Sequence, residues 1–192
     1  MTDLLEKARR VIADHHLATS DAAVLLMVSG GSDSTALAYL GAALHEAGAI
    51  GPVAMLHVNH QLRGDDSDGD ERFVSSLAEL LHIPLFICSI GIAAEAARSR
   101  GNVEAVARRE RYLAANEALR SMCQHEGCPL SEARIFTAHT ADDRIENFYM
   151  RSIVGTGPGG FRSMRYENGP VVRPLLDATR AELRAFLAAR EA

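Results

Sequence analysis

A short glycine turn between two apolar segments constrains the fold of this chain more than any other feature. Residues 28–35 read Val-Ser-Gly-Gly-Ser-Asp-Ser-Thr, after an apolar run at 22–27 and before an apolar-rich segment at 36–44. Because Gly30 and Gly31 lack a Cβ, the backbone there can approach an anion closely. A helix after the turn would direct its unpaired N–H groups and positive dipole end at that anion. The pattern predicts strand, phosphate-binding turn and helix, although a Gly-Gly pair alone also fits a turn without a ligand.

Polar side chains around these glycines add to the predicted phosphate site. Ser29, Ser32 and Ser34 supply hydroxyl donors, and the Asp33 carboxylate could hold a metal ion. A Walker A loop would end in Gly-Lys-Ser or Gly-Lys-Thr, but the only lysine of the chain is Lys7, far upstream. We therefore expect a phosphate loop that differs from the one in ordinary P-loop NTPases.

Length and composition bound the class of protein. The 192 residues suffice for one domain with a substantial core, and no apolar run approaches the ~20 residues that a membrane helix needs. Residues 1–16 carry charges throughout, lack a signal-peptide core and have apolar positions on one helix face. Three scattered cysteines form no Cys-x-x-Cys pair, which argues against a disulfide framework and a zinc ribbon. We expect a cytoplasmic protein with no membrane partner.

The charges leave room for a local anion site. The net charge of −5 does not indicate general nucleic-acid binding. Nearly all of the 20 basic residues are arginine, which suits bidentate phosphate recognition, although a GC-rich genome would also favour arginine. Many of them cluster, so a basic groove on an acidic protein is compatible with the sequence. The clustered residues are Arg98, Arg100, Arg108, Arg109, Arg111, Arg162, Arg165 and Arg173.

Apolar runs alternate with helical patterns along the chain. The apolar runs have the composition of buried parallel strands and lie at residues 24–28, 53–58, 85–89 and 134–138. The helical patterns lie at residues 35–47, 67–81, 103–125 and 141–154. This alternation predicts a single α/β domain over 1–192, with a parallel sheet and helices on both faces. We expect an N-terminal helix within 1–20, a core at 21–176, a C-terminal helix within 177–192, and exposed loops at 61–70 and 155–160.

Ligands of such sheets bind at the carboxyl ends of the strands, which brings residues 29–34, 57–60 and 139–143 around one crevice. His57 and His60 alone suggest a metal pair, but the downstream chain offers no convincing further zinc ligands. Nucleotide contact or strand-end packing fits these histidines better. The acidic run that follows suits a solvated helix start, where carboxylates interact favourably with the dipole.

Two later segments carry charged residues that suit a phosphate substrate. Glu104, Arg108 and Arg111 fall on one helix face, as either a surface salt bridge or an arginine pair facing an anionic substrate. Asp142 and Asp143 follow the last predicted strand, where carboxylates cap a helix or hold Mg²⁺ that bridges triphosphate oxygens. Residues 155–160 match Gly-x-Gly-x-x-Gly, but they follow a helical pattern rather than a strand, so we do not expect dinucleotide binding.

These motifs resemble the PP-loop (N-type) ATP pyrophosphatases, and within them the tRNA(Ile)-lysidine synthetases. The resemblance covers about residues 20–190 and rests on five motifs in the expected order. They are Ser-Gly-Gly-x-Asp-Ser at 29–34, His-x-Asn-His-x-Leu-Arg at 57–63, Asn-x-Glu-Ala-x-Ala-Arg-x-x-Arg-Tyr at 102–112, Thr-Ala-His-x-x-Asp-Asp-x-x-Glu at 137–146, and Arg-Pro-Leu-Leu at 173–176. The chain departs from the family at Thr140, where a second histidine is usual, and at Asn147, where threonine is usual.

The resemblance implies a Rossmann-like, adenine nucleotide alpha hydrolase-like fold. It also implies an enzyme that uses ATP and Mg²⁺ to adenylate the wobble cytidine of an isoleucine tRNA with a CAU anticodon. Free lysine then displaces AMP, and a homodimer is compatible with the family. By resemblance, the pyrophosphate loop comprises Ser29, Gly30, Gly31, Ser32, Asp33 and Ser34, and the nucleotide would also meet His57 and His139. Mg²⁺ would bind Asp33 and Asp143, while Arg108 and Arg111 would face anionic substrate; Asp142, Glu146 and Arg173 are weaker candidates.

Two alternatives stay open at the level of sequence. One is another PP-loop enzyme, such as a tRNA thiolase or an amide-forming ligase, although cysteine-dependent thiolases usually carry paired cysteines. The other is a nucleotide-binding module without catalysis, which would keep the glycine turn but need neither the paired aspartates nor the arginines. Family members usually continue beyond Arg-Pro-Leu-Leu into further helices and tRNA-binding domains.

Overall fold

In a computed structural model of the chain, residues 2–59, 65–91, 102–154 and 164–190 are described. The elements in chain order are α1 Thr2–Asp14, β1 Val24–Met27, α2 Ser32–Glu46, β2 Val53–Asn59, α3 Asp65–Leu81, β3 Leu85–Ser89, α4 Val103–Glu126, β4 Arg134–Phe136, α5 Ala141–Val154, β5 Glu167–Asn168, β6 Val171–Val172 and α6 Arg180–Ala188. Within these residues, no helix is long and apolar enough to cross a membrane.

The strands form one six-stranded sheet in the order β3-β2-β1-β4-β6-β5, in which all pairs are parallel except β5 with β6. The predicted parallel α/β sheet is therefore confirmed. After β1 the chain first builds β2 and β3 on one side and later returns to place β4 on the other side. The carboxyl ends of β1 and β4 thus border the crevice where ligands of such sheets bind.

Successive strand residues point into two separate cores. Leu26, Met55 and Phe136 pack in one cluster, which also contains apolar side chains of α1, α2, α3 and α6. Leu25 and Ile135 pack in the other, against α4. Because both faces of the sheet are covered, the strands have no polar face and read as continuous apolar runs.

Three local expectations differ from the structure. The predicted helix at 67–81 and the predicted loop at 61–70 overlap, and the structure has helix there: α3 begins at Asp65, two residues before the predicted start, since several acidic residues favour a helix N-terminus. Helix α2 begins at Ser32, three residues earlier than the apolar pattern indicated, because the first turn is polar and faces a pocket. The β5–β6 pair was not predicted, since two-residue strands carry no measurable periodicity. The rest of the predicted loop at 61–64, and the one at 155–160, lie outside the described residues.

Gly51 lies where the backbone before β1 leaves no room for a side chain. A Cβ there would stand 2.7 Å from the carbonyl carbon and oxygen of Asp21. We expect Gly51→Ala to lower the free energy of unfolding by about 1–3 kcal/mol through overpacking, as measured by urea denaturation. Gly69→Ala is the matched control, because a Cβ in that helix meets no atom within 4 Å; the same loss in both variants would contradict this expectation.

Helices α1 and α6 are joined by an ion pair that responds to acid. The Lys7 Nζ donates to Glu182 Oε1 at 2.8 Å. That bond, followed by hydrogen bonds from Thr179, lowers the pKa of Glu182 from 4.5 to about 2. A lowered folded-state pKa stabilises the protein above pH 4.5, and this contribution is lost as the pH falls towards 2.

Glu182→Gln removes this charge but keeps the helix cap, since glutamine also serves in a capping box. We expect its free energy of unfolding to depend less steeply on pH between 4.5 and 2 than that of the unmodified protein. Urea denaturation across that range measures the slope. Glu79→Gln, at an exposed position of α3, is the control; an equal change of slope in both variants would contradict the assignment.

Candidate functional site

The turn after β1 is braced by its own side chains. Gly30 has a φ of 95°, in the left-handed region that favours glycine. The Ser29 N–H donates to Ser34 Oγ at 3.1 Å, and Ser34 Oγ donates to the Gly31 carbonyl at 2.8 Å. Thr35 Oγ1 donates to the same carbonyl at 3.1 Å. The Ser34 hydroxyl therefore shapes the turn as well as lining the pocket in front of it.

Helix α2 presents an N-terminus suited to an anion. Its N-cap is Gly31, which has no side chain to accept hydrogen bonds from the first N–H groups of the helix. The first turn, with Ser32 and Asp33, lines a cavity of about 620 Å³. Cavities of roughly 300–1,000 Å³ are usual for small-molecule sites, and a helix N-terminus facing one attracts phosphate.

The cavity collects side chains from distant parts of the sequence. The structure brings the glycine turn together with His57, Arg111, His139 and Asp143 at the carboxyl edge of the sheet. Further lining residues come from α3, α4 and the ends of β2 and β4: Asn59, Asp70, Tyr112 and Thr137. His60, the other histidine of the second motif, lies outside the described residues.

His57 connects β2 to the end of β1. The side chain is buried, with 3% of its surface exposed, and its Nδ1 lies 2.9 Å from the Val28 carbonyl oxygen. A carbonyl only accepts hydrogen bonds, so Nδ1 carries a hydrogen and this bond fixes the orientation of the ring. The nearby Asn59 is also buried and donates to Glu71 Oε2 at 2.9 Å.

His139 follows β4 and is kept neutral by its surroundings. Its Nδ1 forms a hydrogen bond of 2.8 Å with Thr137 Oγ1. Burial, and then the charge of Arg173, lower the pKa of His139 below its ordinary value, with Asp143 opposing the shift. The ring therefore faces the cavity as a neutral imidazole at pH 7 and does not compete with the arginines for an anion.

Thr140 positions the Asp143 carboxylate. The side chain of Thr140 is completely buried, and both its N–H and its Oγ1 donate to Asp143 Oδ2, at 2.7 and 2.8 Å. Burial raises the pKa of Asp143, but these two bonds and the Arg180 charge outweigh it and lower the pKa below its ordinary value. The Asp143 N–H donates in turn to Thr140 Oγ1 at 3.4 Å, so the residue that departs from the family pattern caps α5 and keeps Asp143 ionised.

Replacing Thr140 tests this role. Thr140→Val keeps the shape of the side chain but removes the hydroxyl that caps α5. We expect the free energy of unfolding to fall by about 1 kcal/mol, as for the loss of a helix cap, and the pKa of Asp143 to rise towards its ordinary value. Urea denaturation and an NMR titration of the carboxyl carbon measure the two effects. Thr140→Ser retains the hydroxyl and is expected to change both much less; equal effects would contradict the capping role.

Arg180 contacts two predicted site residues but was not itself predicted to be functional. At the start of α6, its Nη2 donates to Asp143 Oδ1 at 2.6 Å, and its Nε lies 3.5 Å from Asp33 Oδ2. Its Nη1 also donates to Glu146 Oε1. The Thr179–Glu182 capping box marks the start of the helix in the sequence, but no local signal points to an aspartate 37 residues away.

Of the predicted arginines, two lie on α4 and one directly follows β6. Arg111 lines the cavity directly, and the Arg108 guanidinium lies 5.4 Å from the ring centre of Tyr112, another lining residue. Arg173 is buried and donates through Nη1 to the Arg165 carbonyl, while its Nε has no hydrogen-bond partner within the described part of the chain. Burial lowers the pKa of Arg173, because the charged guanidinium is less well solvated there than in water. An anion that approached Arg173 would stabilise this charge.

The predicted metal ligands Asp33 and Asp143 are too few to form a complete metal site by themselves. Among the described residues, no group of three or more histidine, cysteine or acidic side chains is arranged to hold a metal ion. Asp33 and Asp143 nevertheless both reach one cation, the Arg180 guanidinium. Mg²⁺ commonly uses one or two carboxylates together with substrate phosphates, so this donor set fits Mg²⁺ that arrives with a triphosphate.

Comparison with known sequences identifies similar proteins over nearly the whole chain. A family model described as a PP-loop domain matches residues 2–192. The tRNA(Ile)-lysidine synthase of Thermus thermophilus is 42% identical over 168 residues, which are 87% of this chain and 30% of that protein. The enzyme of the same name from Parabacteroides distasonis is 35% identical over 186 residues, 96% of this chain and 39% of that protein. The chain thus spans well under half the length of these curated relatives.

Solved structures with low sequence identity share the fold. The U34-tRNA thiolase NcsA from Methanococcus maripaludis superposes with a TM-score of 0.69 at 16% identity, over 98% of this chain and 63% of that chain. An NH3-dependent NAD synthetase from Campylobacter jejuni superposes with a TM-score of 0.56 at 16% identity, over 98% of this chain and 72% of that chain. These similarities confirm the predicted Rossmann-like, adenine nucleotide alpha hydrolase-like fold.

Proposed function

Because this chain belongs to the PP-loop domain family, we propose that it is the catalytic part of a tRNA(Ile)-lysidine synthetase. It would use ATP and free lysine to convert the wobble cytidine of an isoleucine tRNA with a CAU anticodon into lysidine, in the cytoplasm. The observation that carries this proposal is the similarity to lysidine synthases over 87% and 96% of the chain. The homodimer expected from the family remains a prediction.

The reaction consists of two transfers that need no enzyme nucleophile. The carbonyl oxygen of the cytosine attacks the α-phosphorus of ATP, and the bond to the β-phosphate oxygen breaks, so that pyrophosphate leaves. The lysine amine then attacks the adenylated carbon, loses a proton and displaces AMP. Both steps depend on holding reactants in line and on stabilising charge at phosphate oxygens.

The glycine turn is suited to the departing pyrophosphate. In our proposal, the N–H groups at the start of α2 and the hydroxyls of Ser29 and Ser32 bind its oxygens. Gly30 and Gly31 allow that close approach, and Ser34 contributes chiefly by bracing the turn through its bonds to Ser29 and Gly31. The negative charge that develops on the leaving group is then met by donors that are already oriented.

The remaining site residues are assigned to three roles: binding the nucleotide, holding the metal ion, and facing the reacting phosphate or the tRNA. We assign His57 and His139 to the nucleotide, because each lines the cavity with a ring that is held through its Nδ1. Asp33 and Asp143 would hold Mg²⁺, which supplies Lewis-acid neutralisation of triphosphate oxygens. Arg108 and Arg111 would face the reacting phosphate or the tRNA, with Arg173 behind them.

Isotope-labelled ATP tests the proposal directly. The chain is incubated with [α-³²P]ATP, Mg²⁺, lysine and an unmodified transcript of the isoleucine tRNA, and labelled AMP is measured. Low ionic strength is used, because phosphate contacts supply much of tRNA affinity and weaken with salt. AMP that requires both tRNA and lysine supports lysidine synthesis.

The other outcomes separate the alternatives. AMP that forms with a sulfur donor or ammonia in place of lysine would identify another PP-loop enzyme and overturn the lysidine assignment. Measurable ATP binding without AMP under any of these conditions would favour a nucleotide-binding module. Omission of tRNA or of lysine, one at a time, controls for ATP hydrolysis by a contaminant.

A further inference from the structure

Arg180 joins carboxylates from two helices at the edge of the cavity. Its Nε lies 3.5 Å from Asp33 Oδ2 on α2, and its Nη2 lies 2.6 Å from Asp143 Oδ1 on α5. Its Nη1 and Nη2 also donate to the two oxygens of Glu146, one turn further along α5. A single guanidinium therefore serves three carboxylates, including both that we assign to Mg²⁺.

Asp143 and Asp33 each make a further contact besides the one with Arg180. Asp143 is held through its other oxygen, Oδ2, by the N–H and hydroxyl of Thr140. Asp33 lies in the first turn of α2, where its Oδ1 accepts a long hydrogen bond of 3.4 Å from Ser32 Oγ. The oxygens that contact Arg180 are thus the ones left over for an incoming cation.

The backbone of Arg180 is anchored by contacts that do not involve its guanidinium. Its backbone N–H donates to Asp142 Oδ2 at 2.9 Å, and the capping box of Thr179 and Glu182 anchors the start of α6. About a third of the Arg180 side chain is exposed, and Glu146 is the most exposed of its three partners. Rotation of the guanidinium towards Glu146 would free the oxygens of Asp33 and Asp143 while one ion pair persists.

We propose that Arg180 is a positioning residue that acts as a resident counter-cation, occupying the metal position of the nucleotide-free protein and releasing Asp33 and Asp143 when Mg²⁺ enters. The assignment of those two aspartates to Mg²⁺ rests on the proposed function. Two cations that contact the same carboxylate oxygens repel each other, so each lowers the affinity of the other. Arg180 would thereby restrict metal loading to Mg²⁺ that arrives with phosphate oxygens of its own.

Metal affinity without nucleotide tests this competition. Mn²⁺, which electron paramagnetic resonance detects when free, is titrated into the unmodified chain and into Arg180→Gln. We expect the variant to bind Mn²⁺ at least about fivefold more tightly, the lower range of coupling between two ligands. Arg184→Gln, which removes the same charge at an exposed position of α6, is expected to leave the affinity unchanged. Equal or weaker binding in a folded Arg180→Gln protein would overturn the proposal.

Two further measurements separate competition from loss of structure. The double variant Asp33→Asn with Arg180→Gln is expected to lose the gain in affinity, because the freed oxygens no longer carry full charge. In the unmodified chain, the Nε–H resonance of Arg180, assigned by its absence from Arg180→Lys, is expected to shift when Mg²⁺ is added to the protein saturated with a non-hydrolysable ATP analogue. A resonance that Mg²⁺ leaves unaffected in the presence of the analogue would also overturn the proposal.

The outcome is independent of lysidine synthesis. Neither readout uses tRNA, lysine or turnover, so absence of labelled AMP would count against the proposed function alone. Conversely, lysine- and tRNA-dependent AMP formation together with unchanged Mn²⁺ binding in Arg180→Gln would leave the function standing and remove the counter-cation role.

Discussion

Asp33→Asn is expected to reduce AMP formation by about 10²–10³-fold, the range for loss of one group that stabilises transition-state charge. The asparagine keeps the size of the side chain but removes the negative charge facing the cavity from the first turn of α2. Without that charge, the cation that neutralises the triphosphate would be held by Asp143 alone. Initial rates with labelled ATP at saturating tRNA and lysine measure the loss.

Controls distinguish this effect from unfolding. Asp14→Asn removes the same charge at an exposed position of α1 and is expected to retain full activity. Urea denaturation is expected to show that Asp33→Asn unfolds close to the unmodified chain, since among the described residues Asp33 is paired through a long contact with Arg180 and a long hydrogen bond from Ser32. A rate within threefold of the unmodified chain would remove Asp33 from the catalytic set.

Arg111→Met is expected to lower the rate of AMP formation by about 10²-fold or more. Arg111 lines the cavity, and a guanidinium that meets developing charge on a phosphate contributes to the transition state on this scale. If Arg111 acts on the reacting phosphate, kcat falls. If it instead holds a phosphate of the tRNA backbone, KM for tRNA rises and kcat is retained.

Arg120→Met provides the matched comparison for Arg111. Arg120 lies on the same helix, at an exposed position, so its loss changes the net charge equally without touching the cavity. A comparable loss of activity in both variants would show that Arg111 contributes only through overall charge. Retained activity in both would remove Arg111 from the site.

Much of the secondary structure could be predicted because both faces of the sheet are buried. Neighbouring residues such as Leu25 and Leu26 enter different cores, so each strand appears as an uninterrupted apolar run. Helices α4 and α5 were placed to within a residue by their patterns and polar starts. The β5–β6 hairpin is two residues long in each strand, and its place beside β4 depends on long-range pairing that no local pattern reports.

The glycine turn and the Arg180 ion pairs differ in how far the local sequence specifies them. The glycine turn is a local object, because φ at Gly30, the bracing by Ser34 and the N-terminus of α2 all arise within a few consecutive residues. A phosphate-binding loop can therefore be predicted from a short stretch of sequence, without knowledge of the fold. The same reason explains why the sequence predicts the strand before the turn and the helix after it. It also explains why the motifs at the other strand ends can be recognised.

Contacts between helices that are distant in the sequence cannot be predicted from local patterns. Arg180 meets Asp33 and Asp143 only because α6 packs in the same core as α2, and β4 returns beside β1 to place the start of α5 opposite the turn. Coulomb attraction acts through space and is indifferent to separation along the chain. The pairing of a cation from α6 with the carboxylates of the phosphate site thus follows from packing and topology, which no run of consecutive residues encodes.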